Sequence, residues 1–426
     1  MARRAFLRRT GSLTAASALA ATAPNIFLNR TLAQTGASPS EAIRIGIVGV
    51  GGQGKSHLFT ITKNVAAICD VDKKRLADAA AEVEKRTGKA PATYSDYRKM
   101  LENKDLDAIL IAVPDHWHAL VAIHACQAGK DVYVEKPLTL TVHEGIAMIK
   151  AARYYKRIVQ CGSQQRSDAK FRQGCELVRN GRIGDIQVVR VGLPGVNYSQ
   201  PTLPDSAPPP ELDYEMWLGP APARPYNKNR VHYNFRFFWD YSGGQMTNWG
   251  AHHLDIAQWG LGTDESGPIE ISARAEFDKE KRFEVPTWFE IEYKYSPKTS
   301  VLCGQSHRIG TTFEGQDGLI YVNRGKFETT YPNALKEPIT DQDTRLYVSN
   351  NHHQNWFDCI KSRKLPICDV EIGHRSATVC HLGNLAVRLG RTIKWDPAKQ
   401  EIIGDAEAAS HLHYEYRAPW KLPEVG

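Results

Sequence analysis

A glycine-rich loop near the start of the sequence constrains the fold more than any other feature. The loop, Gly49-Val50-Gly51-Gly52-Gln53-Gly54, follows a short β-branched segment and precedes a stretch of helical character. Glycines at these spacings permit a tight turn at Gly49, close approach of the backbone to a pyrophosphate at Gly51, and close helix–strand packing at Gly54. The N–H groups at the helix start favour an anion. The loop, with Gln53, therefore predicts a dinucleotide site in an α/β domain.

Strands and helices are predicted to alternate downstream of this loop. Predicted strands cover residues 43–48, 65–69, 108–113 and 131–134, and predicted helices cover residues 73–87, 116–128 and 142–155. Such alternation is typical of right-handed β-α-β units that form a parallel sheet covered on both faces. We predict a doubly wound Rossmann domain over residues 41–162.

The pattern changes after residue 163. A predicted helix and strand precede a proline-rich stretch, and the segments 269–277, 288–295 and 319–323 look like strands without intervening helices. This pattern favours an α+β domain with a mostly antiparallel sheet, one face of which can serve as a binding wall. We place this second domain at residues 163–400, and an irregular tail at 401–426 that wraps the surface or a neighbouring subunit.

The first 40 residues predict an export signal. They carry five arginines and no acidic residue, and an apolar stretch at residues 11–23 follows the first four arginines. A basic start before an apolar run too short to span a bilayer is typical of a secretory signal. Arg3-Arg4 resembles the twin-arginine motif, whose pathway carries folded proteins. We therefore predict export to the periplasm; a basic amphipathic arm is the alternative.

The net charge of +7 gives little reason to expect a nucleic-acid partner. Five of the positive charges lie in the first 40 residues, so about +2 remains for the rest, where basic residues are not clustered. No other apolar run is long enough for a membrane helix, so we expect no stable membrane insertion. The eight cysteines form no C-x-x-C pair and several lie in apolar patterns, which favours buried free thiols over disulfides.

Asp70 is a candidate contact for the cofactor ribose. It ends the second predicted strand, and ligands of open α/β sheets bind at the carboxyl ends of strands. A carboxylate here favours NAD, because the 2′-phosphate of NADP would meet it. The basic residues 73–75 lie just beyond and could instead receive that phosphate. The sequence leaves both NAD and NADP open.

Two further strand ends carry candidate cofactor contacts. Pro114 and His118 follow the predicted strand at 108–113, and Glu135 and Lys136 follow the strand at 131–134. A Glu-Lys pair after an apolar strand is costly unless it faces a ligand or a cleft. An ordinary loop with a surface ion pair is the alternative for this pair alone.

With Glu135-Lys136-Pro137 and a later Gly-Gly…His-x-x-Asp segment, the chain resembles the glucose–fructose oxidoreductase and inositol dehydrogenase (Gfo/Idh/MocA) family. The resemblance covers nearly all of the chain after the signal, and the runs at 235–244 and 369–375 look like an exported branch. It implies an NAD(P)-dependent oxidoreductase acting on CH–OH groups of a carbohydrate or polyol. It also implies that Lys136 lies beside the nicotinamide, that Glu135 is near the cofactor, and that the second domain binds substrate and mediates a homo-oligomer, a dimer or tetramer.

The segment at residues 243–255 carries the other candidate catalytic groups. We predict that it enters a helix near Thr247 or Asn248, both good N-caps, so that Asn248, His252 and Asp255 share one face. Oxidising a secondary alcohol requires removal of the hydroxyl proton as hydride leaves the carbon, which a histidine can do at neutral pH. Lys136 would stabilise the developing alkoxide or, if desolvated, act as the base itself.

Position 248 departs from the family pattern. Characterised relatives commonly have aspartate there, which pairs with the histidine, whereas Asn248 cannot stabilise an imidazolium by charge. Asp255 or Asp240 is the candidate replacement. Asp255 is also a candidate substrate contact, together with Arg236, Trp239 and Tyr241. Aromatic rings could stack on the C–H faces of a sugar or could form core.

No metal is predicted, because the paired histidines lack a third ligand at an H-E-x-x-H or C-x-x-C spacing. Two functional classes fit these residues. One is a sugar or polyol dehydrogenase whose cofactor stays bound, since little free NAD(H) exists outside the cytoplasm. The other is redox-neutral glycoside cleavage, in which oxidation, elimination, hydration and reduction occur in one site.

Overall fold

The computed structural model describes residues 42–333, 336 and 338–425. The predicted signal segment at 1–40 lies outside these residues. The first part of the described chain runs β1 (Ile45–Val48), α1 (Gly52–Thr60), β2 (Val65–Cys69), α2 (Lys73–Thr87), β3 (Ala92–Tyr94), α3 (Tyr97–Leu101), β4 (Ala108–Ile111), α4 (His118–Gln127), β5 (Asp131–Val134), α5 (Val142–Tyr154) and β6 (Val159–Cys161). Within the described residues these strands form a six-stranded parallel sheet in the order β3-β2-β1-β4-β5-β6.

The central strands of this sheet are buried on both faces, as parallel strands covered by helices must be. Every residue of β1, β4 and β5 is buried. The helices begin at side-chain caps: Asp72 accepts from the N–H of Arg75 at the start of α2, and Thr141 and Glu144 form a capping box on α5. The strand order reverses between β1 and β4, which is where doubly wound sheets bind ligands. The predicted Rossmann fold is confirmed.

A second sheet follows. Its part of the chain runs α6 (Ala169–Arg179), β7 (Ile186–Gly192), α7 (Tyr214–Leu218), α8 (Ala251–Leu261), β8 (Glu270–Glu276), β9 (Trp288–Ser296), β10 (Thr299–Gly304), β11 (Gly310–Gly315), β12 (Leu319–Asn323), β13 (Lys326–Thr329), α9 (His352–Ser362), α10 (Val370–Leu389), β14 (Ile393–Asp396), β15 (Glu401–Ile402) and α11 (Ala406–Ser410). Among the described residues the sheet has nine strands, ordered β13-β12-β11-β7-β10-β9-β8-β14-β15.

This second sheet is antiparallel except where β7 and β10 pair in parallel. Its residues alternate between two faces. In β9, Phe289, Ile291 and Tyr293 are buried in the core formed with α6, α8 and α10, whereas Lys294 on the opposite face pairs with Glu270. The predicted mostly antiparallel sheet is confirmed.

The two halves of the chain are interleaved. Trp356 of α9 is fully buried in the core of the first sheet, where its ring lies 5.5 Å from that of Tyr133. The N–H of Cys161 in β6 donates to the carbonyl of Cys368 at 2.9 Å. Residues from the predicted second domain at 163–400 therefore complete the Rossmann domain predicted at 41–162.

The C-terminal tail wraps its own fold. The N–H of His143 donates to the carbonyl of Leu412, and the N–H of Arg417 donates to that of Pro220. The ring of Trp420 meets that of Trp117 edge to face, with centroids 4.8 Å apart. The sequence predicts that the tail wraps either the surface of its own chain or a neighbouring subunit. The structure shows contacts with the surface of its own chain.

The eight cysteines are buried free thiols, as predicted. Across residues 42–333, 336 and 338–425, no helix combines the length and the apolar character needed to cross a bilayer.

Candidate active site

A cavity of about 560 Å³ opens at the carboxyl edge of the first sheet. Its floor consists of the glycine loop and the residues that follow β2, β4 and β5. Its opposite wall comes from the second part of the chain, in particular Met216, Trp217, Arg236, Ser242 and Asn248. The cavity therefore lies where the strand order reverses, between β1 and β4, and this is where the glycine loop predicts a dinucleotide site.

The glycine loop has the geometry that its sequence predicts. Gly49 has φ +84°, and a Cβ at Gly54 would lie 1.8 Å from the carbonyl oxygen of Gly49. A Cβ at Gly51 would lie 2.2 Å from a guanidinium nitrogen of Arg75. Gly49, Gly51 and Gln53 line the cavity, whereas Gly54 serves the packing of α1 on β1.

Asp70 lines the cavity beside this loop. Its carboxylate accepts hydrogen bonds from the N–H groups of Val50 and Asp72, both at 2.9 Å. Burial raises the pKa of Asp70, and these two hydrogen bonds offset the effect only in part. Of the basic residues 73–75, Arg75 is the one that lines the cavity; Lys74 instead pairs with Asp78.

The loops after β4 and β5 are joined by His118. One ring nitrogen lies 2.7 Å from the carbonyl oxygen of Pro137 and the other 2.9 Å from that of Val113. Pro114 and His118, which the sequence predicts as cofactor contacts, both line the cavity. Asp115, in the same loop, is buried and accepts a hydrogen bond from the hydroxyl of Ser242, and burial raises its pKa.

Lys136 and Asn248 meet across the cavity. The ammonium group donates to the side-chain oxygen of Asn248 at 2.9 Å and to its carbonyl oxygen at 3.1 Å. The amide nitrogen of Asn248 donates to Gln245 at 3.0 Å. Burial lowers the pKa of Lys136, and the nearby Glu135 and Asp115 carboxylates offset this only in part. Asparagine thus places a neutral acceptor on the lysine, without the counter-charge that an aspartate would add.

The predicted N-cap at Thr247 or Asn248 is wrong. A π-helical turn spans Met246–Gly250 before α8 begins at Ala251, and the hydroxyl of Thr247 accepts from the N–H of Gly243. His252 lies at the start of α8, is 5% exposed, and has a buried Nδ1 without a partner among the described residues. Burial, together with the charge of Lys136, holds the pKa of His252 well below its usual value.

Asp255 does not line the cavity that Lys136 and Asn248 line. It is fully buried and accepts from the guanidinium Nε of Arg166 at 2.9 and 3.0 Å and from the hydroxyl of Ser376 at 2.7 Å. The alternative, Asp240, is paired with Arg224. Neither carboxylate pairs with His252, so the structure contradicts both candidates for an Asp–His pair, and Asp255 is a core ion-pair residue.

The remaining substrate candidates, Arg236, Tyr241 and Trp239, lie in three different parts of the structure. Arg236 lines the cavity with its guanidinium 3.9 Å from the ring centre of Tyr233. Tyr241 is fully buried among aromatic rings and belongs to the core, which contradicts its assignment as a substrate contact. Trp239 lines a separate cavity of about 180 Å³, beneath the guanidinium of Arg388.

Sequence reasoning did not single out several cavity residues. Asp115 and Ser242 line the cavity but have no distinguishing spacing in the sequence. His57, which contacts the cavity residue Glu135 from α1, lies in no motif. In the described part of the chain, no group of three or more His, Cys, Asp or Glu side chains is arranged to hold a metal ion.

Two family models match the chain. Residues 43–163 match the oxidoreductase family's NAD-binding Rossmann fold, and residues 195–422 match its C-terminal α/β domain, GFO_IDH_MocA_C2. A solved structure of the WlbA dehydrogenase from Bordetella pertussis, in complex with NADH and UDP-GlcNAcA, has a TM-score of 0.62 at 20% identity, covering 84% of this chain and 99% of that one.

Curated relatives are similar over part of their length. The α-N-acetylgalactosaminidase of Shewanella oneidensis is 30% identical over 205 residues, 43% of this chain and 44% of that protein. Inositol 2-dehydrogenase 2 of Saccharopolyspora erythraea is 28% identical over 228 residues, 52% of this chain and 55% of that protein. The chain therefore spans about half the length of the curated relatives it matches.

Proposed function

The chain belongs to the Gfo/Idh/MocA oxidoreductase family, and on that basis we propose that it is an NAD(P)-dependent oxidoreductase that moves hydride to or from a secondary hydroxyl of a sugar, polyol or glycoside. The observation that carries the proposal is the lysine with a lowered pKa, Lys136, held by Asn248 in a cavity that begins at a dinucleotide-type glycine loop. Oxidation of a hydroxyl group needs a hydride acceptor and a group that takes the hydroxyl proton. The glycine loop and Lys136 offer sites for these two roles in one cleft.

The residues of the cavity fit a nicotinamide dinucleotide. Gly51 leaves the phosphate loop open to an anion at the N-terminus of α1, and Asp70 lies one strand away for a ribose. Glu135 and Lys136 follow β5, the strand beyond β4. When bound, the cofactor supplies the hydride acceptor or donor. The strand order thus puts the phosphate loop and Lys136 at opposite ends of one cleft.

Lys136 and His252 are the candidate bases. The lowered pKa of Lys136 makes its neutral amine accessible nearer to neutral pH than that of an exposed lysine, so it can take the hydroxyl proton. In its protonated form the same group stabilises an alkoxide. The low pKa of His252 leaves its imidazole neutral and able to accept a hydrogen bond. Asn248 orients the lysine rather than exchanging protons.

Redox-neutral glycoside cleavage is the second candidate. The similarity to a curated α-N-acetylgalactosaminidase favours it, at 30% identity over 43% of this chain. The same lysine could withdraw the proton next to the new carbonyl before the aglycone leaves. If the cofactor never dissociates, both candidate reactions must transfer the hydride back from the bound cofactor, either to a second substrate or to the same one.

The predicted export signal supports the proposal of a retained cofactor. The Arg3-Arg4 motif is typical of the twin-arginine pathway, which carries proteins already folded. We propose that the chain binds its cofactor in the cytoplasm and works in the periplasm as a homo-oligomer, with the second domain as the assembly surface. Replacing Arg3 and Arg4 by lysine should leave the protein in the cytoplasmic fraction, and light scattering of the exported protein should give a dimer or tetramer mass.

Denaturation of the purified protein, followed by mass spectrometry of the released ligand, tests the retained cofactor. We expect NAD or NADP at near one equivalent per chain; its absence would contradict retention. Sugars and aryl glycosides are then screened against the loaded protein. A net change in cofactor absorbance supports the dehydrogenase, whereas aglycone release without net change supports cleavage. Lys136→Ala should abolish either activity while the cofactor stays bound.

A further inference from the structure

A line of hydrogen-bonded side chains leads away from the cavity. Glu135 lines the cavity, and its Oε1 lies 2.8 Å from Nε2 of His57. The other ring nitrogen of His57, Nδ1, lies 2.8 Å from Nε2 of His353. Glu135 and His57 are buried, at 7% and 4% exposure, whereas His353 is half-buried. The line therefore connects the cavity to a side chain that solvent reaches.

The line is enclosed by groups that do not compete for its protons. The ring of Tyr133 stacks on that of His353 at 5.4 Å and meets the edge of His57 at 5.3 Å, and burial raises the pKa of Tyr133 well above its usual value. His352 is committed elsewhere, with Nδ1 2.8 Å from the hydroxyl of Ser167 and Nε2 2.9 Å from the carbonyl of Cys161.

Hydrogen bonding fixes the direction of the line. Burial raises the pKa of Glu135, but the hydrogen bond from His57, together with the nearby Lys136, more than offsets this effect, so the pKa of Glu135 is lowered. The ionised carboxylate accepts a hydrogen bond, so His57 carries a hydrogen on Nε2. As a neutral imidazole, His57 then accepts at Nδ1 from Nε2–H of His353. One donor would suffice to satisfy Glu135. The second imidazole, His353, does not contact Glu135. It instead extends the line of hydrogen bonds from His57 towards solvent.

We propose that Glu135, His57 and His353 form a proton relay between the active-site cavity and solvent, an inference that rests on the proposed function. Oxidising an alcohol to a ketone releases one proton with the hydride, and the reverse reaction consumes one. For proton entry, solvent delivers a proton to Nδ1 of His353 as the Nε2 proton of His353 passes to Nδ1 of His57 and the Nε2 proton of His57 passes to Glu135. The transfers are concerted, because burial lowers the pKa of His353 to about 4 and its charged form does not accumulate. Each of the two rings gains one proton and loses one.

The relay reverses its direction at every passage. After a proton has entered, both imidazoles hold their hydrogens on the Nδ1 side, which is the arrangement that carries the next proton from Glu135 outward. In the oxidation half-reaction the hydroxyl proton goes to Lys136 and then to Glu135, which lines the same cavity. Alternating oxidation and reduction in one site, as a retained cofactor requires, therefore resets the relay without any ring rotation.

His353→Gln tests the relay, because glutamine keeps the volume and a hydrogen bond but cannot pass a proton on. His143→Gln is the control: this exposed histidine stacks on His413 and does not line the cavity. With a substrate found by the sugar screen, we expect a fall in kcat of at least about tenfold for His353→Gln, with KM and bound cofactor unchanged. We also expect a larger solvent deuterium isotope effect, and rescue of kcat by added imidazole.

Wild-type kcat in His353→Gln would overturn the relay. A fall that imidazole does not rescue, accompanied by loss of cofactor, would show a structural role and overturn it as well. NMR of histidine-labelled, cofactor-loaded protein gives a readout without turnover: the Nδ1 signal of His57 must move in His353→Gln and not in His143→Gln. If the wild-type protein oxidises no sugar, the proposed function fails, and an unmoved His57 signal independently shows that the relay is absent.

Discussion

Asp255 and Arg166 form a buried ion pair whose removal should destabilise the protein without disturbing the cofactor cavity. The side chains are 0% and 1% exposed, and Arg166 also contacts Asp264, whose side chain is 24% exposed. Asp255→Asn keeps the shape of the side chain and its contact with Ser376 but removes its charge. Because Asp255 does not line the cavity, bound cofactor per folded chain should stay unchanged.

The size of the effect follows from the burial of the pair. Breaking a buried pair typically costs roughly 3–5 kcal/mol, because it leaves an uncompensated charge. Arg166 keeps Asp264, so we expect the lower end, about 3 kcal/mol. The entropy of unfolding is roughly 2.1 cal/mol/K per residue near 60 °C, so in a fold of this size the melting temperature should fall by roughly 4 °C.

Differential scanning calorimetry of the wild-type protein and two variants measures this. Asp264→Asn is the control, since the partly exposed partner should contribute less than about 1 kcal/mol. An unchanged melting temperature in Asp255→Asn would refute the structural assignment. So would a variant of wild-type stability that had lost turnover, because that result would return Asp255 to the catalytic machinery.

Three further predictions concern the cavity itself. Gly54→Ala should strip the protein of cofactor and destabilise it by about 1–3 kcal/mol, because the added Cβ would lie 1.8 Å from the backbone oxygen of Gly49; cofactor content and thermal unfolding check this. Asp70→Ala should shift the ratio of NAD to NADP affinity about tenfold towards NADP, measured by calorimetry on stripped protein, because a carboxylate facing the extra phosphate is lost. Arg236→Gln should move the acid limb of the pH–rate profile to higher pH, because the arginine charge lowers the pKa of Lys136.

Each of these predictions has a control variant or a result that would contradict it. Gly195→Ala should leave cofactor content unchanged, because no atom of the described residues lies within 4 Å of the added Cβ and Gly195 does not line the cavity. An unchanged affinity ratio in Asp70→Ala would show that the carboxylate faces away from the ribose. The charge of Arg324 lowers the pKa of both Lys136 and His252. A limb that moves in Arg324→Gln but not in Arg236→Gln would therefore identify His252 as the base.

Local sequence patterns were sufficient to predict the Rossmann sheet and its loop. The glycine loop, the apolar strands and the strand-end position of Asp70 depend on contacts between neighbours in the chain or in consecutive β-α units, which composition and spacing report directly. Lys136 lies in the predicted cavity for the same reason, since it follows a strand whose carboxyl end faces the ligand.

Contacts between residues far apart in the chain could not be predicted from the spacing of residues in the sequence. Asp255 and His252 lie three residues apart, but a buried arginine 89 residues from Asp255 determines where its carboxylate goes. A π-helical turn alters the angular spacing from Asn248 to α8, so helical periodicity misplaced the shared face. The line from Glu135 to His353 crosses three elements far apart in the chain, and no motif marks either histidine.

The wrapped tail and α9 determine when the cleft can form. Translation delivers the glycine loop and the first six strands well before Trp356 and Trp420, which fill the core of that sheet and support the cavity residue Trp117. Until those tryptophans leave the ribosome, the sheet has exposed apolar surface and the cleft lacks part of its support. The cleft can therefore capture a dinucleotide only after both tryptophans have been synthesised and have packed against the first sheet.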